Sequence, residues 1–359
     1  MEITEHTPPI KEKILRWSRS FAAIGALIIV TLLLTGPLIF FSGVNPFHAY
    51  LNLLYGSFGT VAGFSNAMMR TVALLFAGLG VAIAFKCSIW NIGADGQLYM
   101  GALGSQLVGC YVSGLPPLLH VSLSLVGGFI LGGIWGFIPG YLRAKRNVNE
   151  IIATLMLNFI AYWIVYYLVH GPMRAQGSYN PVSEMIQPSA ILPRLIPNTD
   201  LHVGILIGLA LAVVVYILFK KTAFGFVLKA SGMSPVAARF SGINVSTTIM
   251  MAMTLSGGLA GLAGSNEVLG FRYFLGDSVS LNYGFIAIAV VLLARTNPLA
   301  VIPAAVFFGG LINGASYMQH SVGISRTLVT FTEGVIIVCI SILPVLKLRL
   351  SDKNTRYGR

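Results

Sequence analysis

Charge is what this 359-residue chain has least of: Asp, Glu, Lys and Arg make up 9% of it. Soluble domains carry about 25%, so an ordinary water-exposed globular fold is excluded. Cysteine is nearly as scarce. Cys87, Cys110 and Cys339 form no C-x-x-C pair, which excludes a disulfide framework and a zinc ribbon. No Gly-Lys dipeptide occurs, so the phosphate-cradling G-x-x-x-x-G-K-[ST] loop is absent and ATP is not hydrolysed by that route. The six histidines never recur at i, i+3 or i+4, and there is no H-E-x-x-H, which argues against metal catalysis.

What fills the chain instead is apolar: 56% hydrophobic residues and 40 glycines, with a mean hydropathy of +0.81. A membrane-crossing helix needs roughly 20 apolar residues, and apolar stretches fall at 21–41, 66–85, 95–112, 118–141, 150–169, 201–219, 247–268, 283–294, 299–317 and 326–346. The expected fold is an all-α polytopic membrane protein of about ten transmembrane helices. The stretch at 95–112 carries Gln97 and Gln106, and that at 283–294 is short. Either fits a broken or re-entrant segment buried against protein.

The net charge of +12 reads as membrane topology rather than nucleic-acid binding, because Lys and Arg collect in cytoplasmic loops. With the N-terminus inside, only Arg70, Arg174, Arg194, Arg272 and Arg326 of the 23 Lys and Arg fall on the outer side. Both termini are therefore expected in the cytoplasm: residues 1–20 as an N-terminal segment, 21–346 as the transmembrane domain and 347–359 as a tail. The outer connection 170–200 holds five prolines, which points to an ordered or partner-covering extracytoplasmic loop rather than a regular helix. The inner connection 220–246 contains Ser234-Pro235 as a helix start and Gly242 as its stop. A short helix between two spans at the cytoplasmic surface is an interaction element by position.

Gly128, Gly132, Gly136 and Gly140 recur every four residues, and Gly257, Ala260, Gly261 and Gly264 form a second small-residue seam. Such seams let backbones approach closely, within one subunit or between two. Polar residues inside spans face a bundle interior or cavity. Glu333 in the last span is either a structural hydrogen-bonding group or part of a solute path, and Asn158 and Asn313 either bridge helices or bind a hydroxylated or heterocyclic solute. No Lys or Arg is placed mid-span, which favours a neutral solute. Between residues 85 and 97, Gly93 and Gly96 permit a break and Asp95 can cap the following helix. Asn91 and Gln97 offer polar groups close to Trp90, whose ring can stack on a base. A cap with a tight turn accounts for this segment as well as a solute-facing role does.

The stretches NIGADGQLYMGALGS (91–105), NEIIATLMLNFIAYWIV (149–165), KASGMSPVAARFSGINV (229–245), MTLSGGLAGLAGSNEVLG (253–270) and AVVLLARTNPLAVIPAAVFFGG (289–310) resemble the permease subunits of bacterial ABC importers for simple sugars and nucleosides. The charged N-terminus and NIGAxGQ phrase look more like the nucleoside-type branch, with Asp95 where many members of that branch have Glu. The resemblance implies the ABC importer permease fold in a bacterial cell membrane and a transport subunit that is not itself an enzyme and holds no cofactor. ATP and magnesium would sit on a partner ABC ATPase subunit. It further implies a second permease subunit, identical or related, and an extracytoplasmic solute-binding protein, often a lipoprotein. The coupling helix matching the family lies at Ser234–Gly242, with Ser234, Ala237, Ala238, Arg239 and Gly242 as ATPase-coupling residues. Arg239 would meet an acidic groove or anchor at the membrane surface. Aspartate at 238 is expected to uncouple ATPase from uptake without disturbing insertion. Trp90, Asn91, Asp95, Gln97, Asn158, Asn313 and Glu333 are the candidate solute-path residues. The solute expected is a nucleoside, with a simple sugar such as ribose, or riboflavin, as alternatives; an ion-coupled secondary transporter is the rival of a different class.

Overall fold

The computed structural model describes residues 33–325 and, beyond them, 327, 328, 330–332, 334, 335 and 338. Glu333 lies outside the described residues, as do most of the expected first and last spans. The chain divides into two compact units, one holding the residues up to Asn52 and from Ala315 onward, the other Leu53–Gly314. In the first unit, the Thr35 and Tyr50 hydroxyls lie 2.9 Å apart. Gly43, at φ +84°, follows the helical segment 33–41.

Helices carry the architecture, and among the described residues only isolated β-bridges interrupt them. In order they are α1 (Pro46–Phe58), α2 (Val61–Lys86), α3 (Ala94–Tyr111), α4 (Pro117–Arg146), α5 (Glu150–His170), α6 (Gly204–Lys221), α7 (Ala223–Met233), α8 (Pro235–Phe240), α9 (Val245–Glu267), α10 (Tyr283–Leu293) and α11 (Pro298–Val322). Six of these, α2, α4, α5, α6, α9 with its extension to Arg272, and α11, are long and apolar enough to cross a membrane. The helix α1 lies in a stretch that sequence reasoning left as a connection. Its 13 residues span only about 20 Å at 1.5 Å per residue, and Asn45 caps it by accepting the Phe47 N–H at 2.9 Å.

Burial sorts the spans. In α2, 89% of the apolar window is buried, against 22% in α5 and α6, so α2 is a central helix and the other two are peripheral. A helix apolar on every side suits that central place. The widest packing is between α4 and α9, and here the glycine seams meet. A Cβ at Gly132 would lie 2.5 Å from the Gly257 carbonyl oxygen, and one at Gly128 would strike Ser265 and Ser105. Both seams are thus spent inside the subunit, where backbone contact replaces side-chain interdigitation.

The two insecure stretches are both atypical. Neither α3 nor the 11-residue α10 qualifies as an apolar span, and their first turns meet inside the protein. A Cβ on Gly284 would collide with the backbone of Ala94 and Asp95. The loop 171–203 is ordered. His120, fully buried, joins Ser189 Oγ at 2.8 Å and the Val108 carbonyl at 3.2 Å. Gln106 donates to the Glu184 carbonyl at 2.7 Å. Burial pushes the His202 imidazole down to about 4, so the ring is neutral, and its Nδ1 accepts the Gly204 N–H at 3.1 Å.

Candidate functional site

The predicted polar residues between 91 and 97 turn inward to one another. Asn91 donates from Nδ2 to Gln97 Oε1 and to Ser256 Oγ, both at 2.8 Å, and its Oδ1 accepts from Gln97 Nε2 at 3.1 Å and from the Gly93 N–H at 3.0 Å. All three side chains are buried. The turn ahead of α3 is thereby fixed to the middle of α9. Asp95 lies one turn on and holds the 11-residue α10. Its Oδ1 accepts from Ser280 Oγ at 2.6 Å and from the Gly284 N–H at 3.0 Å, while the Ser280 oxygen accepts from Tyr283 N–H at 3.1 Å. A carboxylate at the meeting point of two helix N-termini is favoured by the positive ends of both dipoles.

Asn158 completes the junction from α5, donating to the Ile92 carbonyl at 2.9 Å and accepting the Gly96 N–H at 2.8 Å. Trp90 is 45% exposed, with its ring 4.9 Å from that of Phe85. The structure therefore brings Asn91, Asp95, Gln97 and Asn158 together as a lock between α3, α5, α9 and α10. Their amides and carboxylate are occupied by neighbours in the same chain.

Asn313 sits elsewhere, in a cavity of about 240 Å³. From α11 it donates to the carbonyls of Gly56 and Gly63 at 3.0 and 3.1 Å, and its Oδ1 accepts from Arg70 Nε at 3.5 Å. Asn66 and Arg70 of α2, Glu267 of α9, Tyr283 of α10 and Arg272 surround the same space, with apolar surface from Met69, Phe271 and Leu281 and with Asp200 from the outer loop. Glu267 is 3% exposed. Its Oε2 lies 3.7 Å from Arg272 Nε, an ion pair longer than a hydrogen bond, and Arg70 also acts on it electrostatically. A turn of π-helix at Val268–Arg272 directly follows Glu267 and sets Phe271 and Arg272 on the cavity wall. Single π turns inside helices recur at functional sites.

Sequence reasoning missed this constellation. Arg70 and Arg272 are expected on the outer side; Arg70 lies inside α2, within the apolar stretch 66–85, and Arg272 closes the α9 extension. The available signal was Glu267, a lone acid behind a run of small apolar residues, since an ionisable group there needs a partner. The expectation is that no Lys or Arg lies mid-span; Arg70 is the tenth of the 26 residues of α2. Two arginines and two acids, Glu267 and Asp200, line the cavity, and Asp200 also pairs with Arg194 at 3.5 Å.

The connection expected on the inner side holds α7 and α8. Ser234 caps α8 by accepting the Ala237 N–H at 3.3 Å, and Gly242 follows at φ +80°. Ala237 and Arg239 are exposed, and Phe240 is 90% exposed with Met233 and Val236 beside it. Ala238 is 3% exposed and points into the protein, so aspartate there would bury a charge and disturb folding. The outward face is Val236, Ala237, Arg239 and Phe240. The element also reaches the lock: Ser88 Oγ donates to the Gly232 carbonyl at 2.8 Å, and a Cβ on Gly232 would meet Lys86 and Cys87 backbone. Among the described residues no cluster of His, Cys, Asp and Glu could hold a metal ion.

Residues 63–341 match the family described as branched-chain amino acid transport system, permease component. The chain is 33% identical to the guanosine ABC transporter permease protein of Bacillus subtilis (strain 168), over 84% of this chain and 87% of that protein. It is 31% identical to a nucleoside ABC transporter permease protein of Lactococcus lactis subsp. cremoris, over 86% and 87% of the two chains. With a glucose ABC transporter permease protein of Haloferax volcanii it shares 33% identity, over 82% and 80%.

Proposed function

The chain belongs to this permease-component family, and on that premise we propose that it forms the membrane path of an ATP-driven importer for nucleosides. As a member it is a multi-pass plasma-membrane transport subunit, not an enzyme, and it carries no cofactor of its own. The family implies an ATPase and a solute-binding partner. The observation that carries the nucleoside reading is similarity across more than four-fifths of both chains to permeases for guanosine and for nucleosides. The glucose permease is related to a similar degree, and glucose shares with a nucleoside a hydroxylated ring but no base.

In this reading the ATPase subunit holds ATP and magnesium, and α8 inserts into it with Val236, Ala237 and Phe240 as the contact face, Ser234 and Gly242 delimiting the helix. Closure of the ATPases moves α7 against the Lys86–Ser88 turn. The lock of Asn91, Gln97 and Asp95 passes that motion to α3, α9 and α10, two of which border the cavity. The permease acts with a second copy or a related chain, and a solute-binding lipoprotein docks on the 170–200 loop. The test is uptake of labelled adenosine or guanosine against labelled ribose, in cells with and without this chain, the partner subunits being kept. Nucleoside uptake lost with the chain and with ATP is expected. Uptake of ribose alone would move the solute to the sugar class, and uptake surviving ATP depletion would overturn the mechanism.

A further inference from the structure

We propose that the cavity between α2, α9 and α11 reads the sugar hydroxyls of the solute, with the Glu267 carboxylate as their acceptor and the Arg70 and Arg272 guanidinium groups as donors. The proposal rests on the nucleoside reading above and names the part of the solute that this chain recognises.

Glu267 is an ionisable side chain at the end of a membrane-crossing helix, where its burial is costly unless it is paired or used. Its nearest cationic atom stands 3.7 Å away. That atom, Arg272 Nε, is buried and has no hydrogen-bond partner among the described residues. Donor and acceptor thus line one space as a long ion pair, whose Nε is left without a hydrogen bond of good geometry. By contrast, the Asn313 amide donates to two carbonyls and accepts from Arg70, so it shapes the wall rather than offering free groups.

A hydroxyl both donates and accepts. Two adjacent hydroxyls on a sugar ring can therefore donate to a carboxylate and accept from a guanidinium in the same pose, and a hydroxylated ring, unlike a base, is common to nucleosides and to glucose, the solutes named for the relatives. Each such bond to a charged group is stronger than a neutral one. The C–H faces of the ring would meet Met69, Phe271 and Leu281. The volume of about 240 Å³ lies a little below the roughly 300 Å³ at which drug-sized pockets begin, enough for a sugar ring.

The experiment uses the complete importer at external solute concentrations that saturate its binding protein, so that differences in maximal rate report the permease. Adenosine and 2′,3′-dideoxyadenosine are compared in the native protein and in Glu267→Gln. Native importer should move adenosine at least about tenfold faster, as expected from one charge-assisted hydrogen bond. Glu267→Gln should slow adenosine by a similar factor and bring the ratio near one. An unchanged ratio in a variant present at normal level in the membrane would overturn the proposal.

A second measurement covers the case in which that variant does not accumulate. Asn66→Cys, in a background without the native cysteines, is labelled with a membrane-impermeant maleimide in the assembled importer. Adenosine and ribose should each slow labelling at least about twofold, while adenine should not. Equal protection by adenine, or none by adenosine, would sink the assignment. A native importer that carries no nucleoside in an ATP-dependent way would instead overturn the nucleoside reading itself, a result visible before any variant is made.

Discussion

Replacing Asn91 with Ala removes an amide that serves Gln97, Ser256 and the Gly93 N–H together. The partners stay buried, and leaving them unsatisfied costs about 1–3 kcal/mol. A lower melting temperature of the purified permease in detergent is expected for Asn91→Ala, with solute preference unchanged; a native melting curve would show that the lock does not hold α3 to α9. The polar residues of 91–97 stood out in the sequence because the surroundings are apolar. Their direction did not, since a buried amide looks the same in one dimension whether it meets a solute or a serine 165 positions away. Glu267 shows the converse: no motif marks it, and only the approach of Arg70 from α2, with Arg272 turned toward it across the π turn, gives it a role.

Elements were legible in proportion to their dependence on local pattern. The helix start at Ser234-Pro235 appears as α8 because a capping hydroxyl and a proline at the first helical position are local chemistry. Which residues of α8 face out was not legible, since a six-residue helix has too few turns to show an apolar stripe. Phe240→Asp, on the exposed face, should leave the protein in the membrane at normal level while cutting uptake at least about tenfold and leaving ATP hydrolysis by the complex running. Ala238→Asp should instead lower the amount of folded protein, because a buried unpaired carboxylate costs several kcal/mol. Quantitative membrane fractionation alongside uptake separates the two, and normal uptake by Phe240→Asp would remove α8 from the coupling surface. The glycine seams were equally legible, but their partner was not; the meeting of Gly128 and Gly132 with Gly257 and Gly261 assigns them to packing within the subunit.

For the molecule as a whole, the distribution of Lys and Arg predicts that the loop 170–200 and the α7–α8 element lie on opposite sides of the membrane. Tyr179 is 98% exposed and Phe240 90% exposed, so a single cysteine at either position, in a background without the native ones, is open to labelling. A membrane-impermeant maleimide added to intact cells should modify Tyr179→Cys, and Phe240→Cys only after permeabilisation. The reverse pattern would invert the topology and place the cavity mouth, with Asp200, on the cytoplasmic side.

The sequence by itself determined that this is a helical membrane protein, where its long spans run, which loops are long and which family it resembles. Those properties follow from hydrophobic runs, turn residues and charge counts, all of which are local or additive along the chain. The tertiary structure alone decided that α3 and α10 meet at Asp95, that the 91–97 amides form a lock, and that Arg70, Glu267 and Arg272 share one cavity. Each of these joins residues far apart in the chain. Their pairing is set by backbone approach at glycines and by the need of buried polar groups for partners, neither of which leaves a periodic trace in one dimension.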